Sequence, residues 1–194
     1  RGQLIDFDRS CVDSWDSAAI ADFDKDTDLS GAKEIIKNAD GIILSGGGDI
    51  DAELTGDVAD KATQGQVSRL RDEYEFELMK YAVKNNIPVL GICRGMQVIG
   101  AYFGAHIIQH MEGHKQKEER NVPSHYVNVK DGTLLHKIIG ENRLKVNSYH
   151  HQAVGKGFIG TISAVSDDGF TEAVEPDGEA FILGVQWHPE LLTE

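Results

Sequence analysis

The sequence predicts an α/β fold, with a single-domain, doubly wound and mostly parallel sheet that carries helices on both faces. Three observations predict it. Short apolar runs alternate with helical patterns along the chain, as they do where helices cover parallel strands. One apolar run turns directly into an apolar helix at Cys93. The 194 residues, of which 40% are hydrophobic, are enough for one domain with a complete core.

The first half of the chain contains the clearest predicted elements. In chain order we expect a strand at 18–23, a helix at 29–38, a strand at 41–45, a helix at 69–84, a strand at 89–92 and a helix at 96–103. The strand at 41–45 is apolar and is followed by three glycines at 46–48, which we call the glycine loop. The helix at 69–84 is amphipathic, and its predicted apolar face consists of Leu70, Tyr74, Leu78, Tyr81 and Ala82.

The second half consists mainly of strands. We expect strands at 105–109, 126–129, 144–146, 160–165, 171–174 and 181–186, and one helix at 134–139. Residues 110–124 are polar and show no periodicity, which predicts a loop. Loops of this length are often functional.

Composition limits the classes of partner. The formal net charge of −13 argues against nucleic acid and against an anionic membrane, because both require clustered basic residues. No apolar run is long enough to span a bilayer, and no leader is visible. A catalytic Cys93 would not be held in a disulfide with Cys11, so we expect a reducing, cytoplasmic location. A homodimer is left open.

Cys93 follows a predicted strand, precedes a predicted helix, and has Gly91 and Gly95 two residues away on either side. This spacing is typical of a nucleophile elbow, where a tight turn exposes the nucleophile and the glycines let strand and helix approach closely. The N-terminus of the following helix favours a thiolate and offers N–H groups to an oxyanion. The alternative is a buried structural cysteine.

His188 and Glu190 follow the last predicted strand. A cysteine nucleophile needs a base, and the base needs a group that orients it and stabilises its cation. A lone histidine at a strand end is more often structural, but together with the Cys93 elbow this pair predicts a Cys-His-Glu triad.

The chain resembles the class I glutamine amidotransferase-like superfamily, which has a flavodoxin-like fold, and within it the γ-glutamyl hydrolases of peptidase family C26. The resemblance rests on four segments: GIILSGGGDI at 41–50, PVLGICRGMQ at 88–97, VNSYHHQ at 146–152 and GVQWHPE at 184–190. It implies a hydrolase with Cys93, His188 and Glu190 as the catalytic residues. Arg94 after the cysteine resembles the γ-glutamyl-γ-aminobutyrate type of hydrolase. Residues 1–17 depart from the family pattern, which begins with a clear strand.

The same resemblance implies a substrate site. The glycine loop and the residue after the nucleophile would form the oxyanion hole, through the N–H groups of Gly47 and Arg94. The residues expected to contact the substrate are Gly46, Gln97, Asn147, Ser148, Tyr149 and His150. Tyr149 and His150 are as readily explained by packing under a loop.

The expected activity is hydrolysis of a small γ-glutamyl amide, close to γ-glutamyl-γ-aminobutyrate, through a γ-glutamyl thioester and without a cofactor. One alternative is a glutaminase subunit that passes ammonia to a synthase partner. Another is a binding protein without catalysis, which an intact triad disfavours.

We expect no metal and no nucleotide. His106, His110 and His114 recur every four residues but lie in a segment that is not predicted to be helical. The alternating aspartates at 22–28 lack the glycine and glutamate of a calcium loop. The glycine loop matches neither phosphate-binding pattern.

Overall fold

A computed structural model describes residues 39–192 of the protein. The strand expected at 18–23, the helix expected at 29–38 and the acidic run at 22–28 lie outside these residues, as does Cys11. That the whole chain forms one domain stays a prediction. No helix in the described part is both long and apolar enough to cross a membrane.

The described elements follow the predicted order closely. The helices are α1 (Arg69–Asn85), α2 (Arg94–Tyr102) and α3 (Leu134–Ile139), with 3-10 turns at Ala52–Thr55 and Pro189–Leu191. The strands are β1 (Ile42–Leu44), β2 (Val89–Ile92), β3 (Ile107–Ile108), β4 (His125–Val129), β5 (Arg143–Val146), β6 (Ala153–Val154), β7 (Gly160–Ser166), β8 (Thr171–Pro176) and β9 (Ile182–Val185). The short strand β6, which pairs with β3, was not predicted.

Seven strands form one mixed sheet in the order β1-β2-β9-β8-β7-β4-β5. The expectation of a mostly parallel sheet is wrong for the described strands, because only the β1–β2 and β2–β9 pairs are parallel. The remaining neighbours pair antiparallel. For the β7–β8 and β8–β9 pairs the connections explain this, because residues 167–170 and 177–181 are too few for the crossover that parallel pairing requires.

Helices cover both faces of this sheet, as expected. One core cluster includes Met79 of α1, Ile99 of α2 and Ile182 of β9. A second cluster, which includes Leu135 of α3, contains Leu183 of β9. Because successive side chains of a strand point to opposite faces, neighbouring residues of β9 contribute to the two clusters.

The buried face of α1 differs from the predicted apolar face. Leu78, Tyr81 and Ala82 of the predicted face do pack in the first core cluster. The fully buried residues, however, also include Asp72, Glu75 and Met79, which were not predicted. The two carboxylates face inward because Arg94, the first residue of α2, pairs with both of them there.

This buried ion cluster ties α1 to the glycine loop and the elbow. Arg94 is only 2% exposed and pairs with Asp72 and Glu75. Arg71 pairs with Glu75 at 2.8 Å and also donates to the carbonyl oxygens of Ser45 and Gly46, at 3.2 and 3.1 Å. The side chain of Arg94 therefore has a structural role, and only its backbone N–H is left for a ligand.

We predict that Glu75→Gln lowers the free energy of unfolding by about 3–5 kcal/mol, because it leaves Arg94 and Arg71 with less than their full countercharge in the interior. Urea denaturation measures this. The matched control is Glu73→Gln, which breaks a half-exposed pair with Arg69 on the same helix and should cost less than about 1 kcal/mol. Equal effects of the two substitutions would contradict a structural role for the cluster.

Candidate active site

Cys93 lies on a strained turn between β2 and α2. Its backbone has φ 52° and ψ −105°, an unusual conformation for a residue other than glycine. A methyl group on Gly91 would come within 2.6 Å of Gly95, and one on Gly95 within 2.0 Å of the carbonyl oxygen of Leu44. The glycines are therefore required by close approach, and the predicted elbow is present.

His188 and Glu190 meet Cys93 because of how the sheet is paired. Strand β9 lies parallel to β2, and the N–H of Cys93 extends the pairing by donating to the carbonyl of Val185 at 2.8 Å. The residues that follow the two strands therefore lie at one sheet edge. The side chains of His188 and Cys93 both lie beside Gly46 and interact with each other. Nδ1 of His188 lies 2.7 Å from Oε1 of Glu190.

The side chains of Cys93 and Glu190 hold His188 in its charged form. Burial disfavours the imidazolium, but hydrogen bonds and charge interactions with Cys93 and Glu190 outweigh burial and raise the pKa of His188 to about 10. His188 is therefore protonated at neutral pH.

The glycine loop after β1 contacts this pair directly. A methyl group on Gly46 would come within 2.8 Å of Cε1 of His188 and 3.7 Å of Cβ of Cys93. Within residues 39–192, the backbone N–H groups of Gly47 and Arg94 donate no hydrogen bond. Two unengaged donors are thus available on the two segments that flank Cys93, as an oxyanion hole requires.

Asn147 holds the main chain of His188, a role that the sequence did not suggest. Its side-chain oxygen accepts from the N–H of His188 at 2.8 Å, and its amide donates to the carbonyl of His188 at 3.0 Å. The side chain is fully buried. Nothing in the spacing of the two residues, 41 positions apart, could have revealed this clamp.

Ser148 and Gln97 have most of their polar groups engaged inside the protein. Gln116 of the loop 110–124 accepts from the N–H of Ser148 at 2.6 Å and donates its own N–H to the carbonyl of Ser148 at 3.0 Å. The amide of Gln97 donates to the carbonyl of Gln152 and to Oε1 of Gln186, at 3.2 and 3.3 Å. Of the Gln97 side chain, only the oxygen Oε1 is left for a substrate.

Tyr149 and His150 have different surroundings. Tyr149 is partly exposed, donates its hydroxyl to the carbonyl of Glu118 and has the Arg120 guanidinium 5.0 Å from its ring centre. His150 is 4% exposed, and the expected contact of its side chain with a leaving amine stays a prediction. Burial lowers the pKa of His150 to about 4, although the charge of Glu172 opposes this, so the ring is neutral at pH 7.

The family profile of peptidase C26 matches residues 20–190. The chain belongs to the peptidase C26 family. One relative is a Schizosaccharomyces pombe protein whose name assigns it provisionally to the glutamine amidotransferases. This C26 protein is 37% identical to it over 166 residues, and the alignment covers 81% of this chain and 64% of that protein. It is 31% identical over 174 residues to the γ-glutamyl-γ-aminobutyrate hydrolase of Escherichia coli O157:H7, covering 81% and 66%.

The C26 protein therefore spans about two thirds or less of the length of these relatives. Among solved structures, it resembles the glutaminase domain of Trypanosoma brucei CTPS with bound acivicin. The TM-score is 0.60 at 21% identity, with 85% of this chain and 69% of that one covered. This likeness shows the fold, a mixed α/β sheet of the class I glutamine amidotransferase type.

We predict that Gly46→Ala slows alkylation of Cys93 by iodoacetamide by about 10- to 100-fold, because the new methyl group displaces the His188 ring. The control is Gly41→Ala, just before β1. A methyl group at this position comes no closer than 3.4 Å to a neighbour. Mass spectrometry follows the reaction. Wild-type alkylation of a folded Gly46→Ala variant would show that the ring is not where the structure places it.

The raised pKa of His188 also predicts how stability depends on pH. A pKa above the ordinary 6.5 means that folding binds a proton. The stabilisation is complete below pH 6.5 and is lost as the pH rises toward about 10. We expect wild type to be more stable than His188→Gln at pH 6.5, and this difference in the free energy of unfolding should shrink as the pH rises toward about 10. Urea denaturation of both proteins over this pH range measures it. A difference that does not change with pH would contradict the ion-paired state.

Proposed function

We propose that this protein is a cysteine hydrolase that cleaves the γ-glutamyl amide bond of a small compound of the γ-glutamyl-γ-aminobutyrate kind, releasing glutamate and an amine. The observation that carries the proposal is the contact of Cys93 with a His188 that Glu190 holds protonated, beside two unengaged backbone donors. Membership in the C26 family and the name of the E. coli relative support the substrate class.

In the first half of the reaction, the Cys93 thiolate attacks the γ-carbonyl carbon. The N–H groups of Gly47 and Arg94 stabilise the oxyanion. His188 then donates its proton to the departing nitrogen, the C–N bond breaks, and a γ-glutamyl thioester is left on Cys93. In this proposal His188 is an acid in this step and not a base, because its raised pKa keeps the ring protonated beforehand.

In the second half, neutral His188 removes a proton from water, which attacks the thioester carbon. The C–S bond breaks, glutamate leaves, and the thiolate–imidazolium pair is restored. Glu190 keeps Nδ1 of His188 hydrogen-bonded throughout, so that Nε2 is the atom that exchanges the proton.

We place the glutamate head group at the backbone of Asn147 and Ser148, beside Gly46 and the carbonyl oxygen of Gln97. The N–H of Ser148 donates to the side-chain oxygen of Gln116, and the carbonyl of Ser148 accepts from the backbone N–H of Gln116. In this proposal the substrate therefore displaces the Gln116 side chain from the N–H of Ser148. Tyr149, in contact with the loop 110–124, is placed toward the leaving amine.

A second function is favoured by one observation. The S. pombe relative is provisionally named a glutamine amidotransferase. In this second proposal the same three residues release ammonia from glutamine, and the ammonia passes to a synthase partner. The two functions differ in the preferred leaving group, which is ammonia for the glutaminase and a larger amine for the hydrolase.

We predict that the protein releases glutamate from γ-glutamyl-γ-aminobutyrate or a similar γ-glutamyl amine at least about tenfold faster than from free glutamine, and that Cys93→Ala abolishes both reactions while the protein stays folded. A coupled glutamate assay over a panel of γ-glutamyl amides measures this. A preference for glutamine would favour the glutaminase. Activity of the folded Cys93→Ala variant would overturn the nucleophile assignment for both functions.

A further inference from the structure

Four ionisable side chains form a second cluster that the proposed reaction does not use. We name this group the His–Glu cluster: His114, His125, His150 and Glu172. They come from four separate segments of the chain, namely the loop 110–124, the start of β4, the turn after β5, and β8. Glu172 is fully buried, the side chains of His114 and His150 are each 2% exposed, and that of His125 is 21% exposed.

The Nε2 atoms of the three histidines converge on one carboxylate oxygen. Their distances to Oε1 of Glu172 are 3.1 Å for His114, 3.3 Å for His125 and 3.7 Å for His150. Zinc ligands at roughly 2.0–2.1 Å in tetrahedral geometry lie about 3.3 Å from one another. The distances of His114 and His125 to this oxygen therefore agree with the edges of a zinc coordination tetrahedron, whereas that of His150 is longer.

The other ring nitrogens are held in the way that metal-binding histidines require. Nδ1 of His150 lies 3.0 Å from the carbonyl oxygen of Gln152, which only accepts, so Nδ1 carries the hydrogen and Nε2 a lone pair. Nδ1 of His114 lies 2.7 Å from a carboxylate oxygen of Asp168. A carbonyl or carboxylate behind a histidine is the usual second shell of a zinc site.

Several polar atoms of the cluster have no partner in the described part of the chain. Nε2 of His125, Nε2 of His150 and Oε2 of Glu172 are buried and make no hydrogen bond there. A lone pair on His150 facing a carboxylate is unfavourable in the interior, where polar groups are normally paired. A cation and its bound water between these atoms would satisfy all of them at once.

We propose that Nε2 of His114, Nε2 of His125 and the carboxylate of Glu172, whose ligand atoms all lie within 4.8 Å of one another, bind one zinc ion. Imidazole ligands favour zinc and other transition metals, whereas magnesium and calcium require oxygen ligands. Three protein ligands leave the fourth position of the tetrahedron for a water molecule, from which Nε2 of His150 would accept a hydrogen bond. An open cavity of about 470 Å³, lined in part by His114, His125 and Asp168, gives access to it.

This proposal departs from the expectation of a metal-free protein, which concerned a different set of histidines. The structure separates His106, His110 and His114: His106 pairs with Asp57, and His110 contacts His151. Only His114 belongs to the His–Glu cluster. The zinc would link the loop 110–124 to the segment that carries Asn147 and Ser148, since Oγ of Ser148 already donates to the carbonyl of His114 at 3.0 Å.

The full-length protein tests the proposal after treatment with a chelator, by titration with Zn²⁺, Co²⁺ and Mg²⁺. We expect one Zn²⁺ per chain by elemental analysis, a rise in the melting temperature with Zn²⁺, and the visible absorption of tetrahedral cobalt with Co²⁺. Mg²⁺ should have no effect. None of these readouts depends on hydrolysis, so their outcome is independent of the proposed function.

His125→Gln is the decisive variant, because His125 is partly exposed and its loss should disturb folding less than the loss of a buried ligand. Glu172→Gln is the second variant. Each should weaken zinc binding at least about a hundredfold and abolish the tetrahedral cobalt spectrum. The control is His106→Gln, which removes a histidine outside the cluster and should leave both unchanged. Absence of stoichiometric zinc in wild type, or equal binding by His125→Gln and His106→Gln, would overturn the site.

Discussion

The parallel pairing of β2 with β9 is the constraint on which the site depends. It places the residues that follow two strands, distant in sequence, at one sheet edge, and the hydrogen bond from Cys93 to Val185 carries the pairing as far as the cysteine itself. The strain in the Cys93 backbone can persist because strand pairing on one side and helix packing on the other determine its position.

Two buried polar assemblies then hold the elements that surround Cys93. Arg94, with Asp72, Glu75 and Arg71, joins α1 to the elbow and to the glycine loop, so that the backbone donors on both sides of Cys93 share one support. Asn147 fixes the main chain of His188 from the opposite side. The reacting groups are thus positioned by residues that do not themselves react, as preorganised sites generally are.

The sequence predicted the parts of the structure that depend on short-range pattern. The elbow at Cys93 and the pair His188 and Glu190 are visible because each lies next to an apolar strand. The antiparallel half of the sheet was wrongly predicted, because alternation of elements does not reveal strand direction; the short connections around β8 decide it. The inward face of α1 was assigned by hydrophobicity, which cannot anticipate that a distant Arg94 needs two buried carboxylates. The Asn147 clamp and the His–Glu cluster join residues far apart in the chain, and no spacing rule finds them.

The proposed reaction requires a covalent γ-glutamyl intermediate on Cys93. It is tested most directly by mixing the protein with a γ-glutamyl amide, quenching in acid within the first turnover, and analysing the peptide that contains Cys93 by mass spectrometry. We expect an added glutamyl group on Cys93, which hydroxylamine releases as γ-glutamyl hydroxamate, and none in Cys93→Ser under the same treatment. Turnover of the amide with no acyl group on Cys93 at any quench time would contradict it.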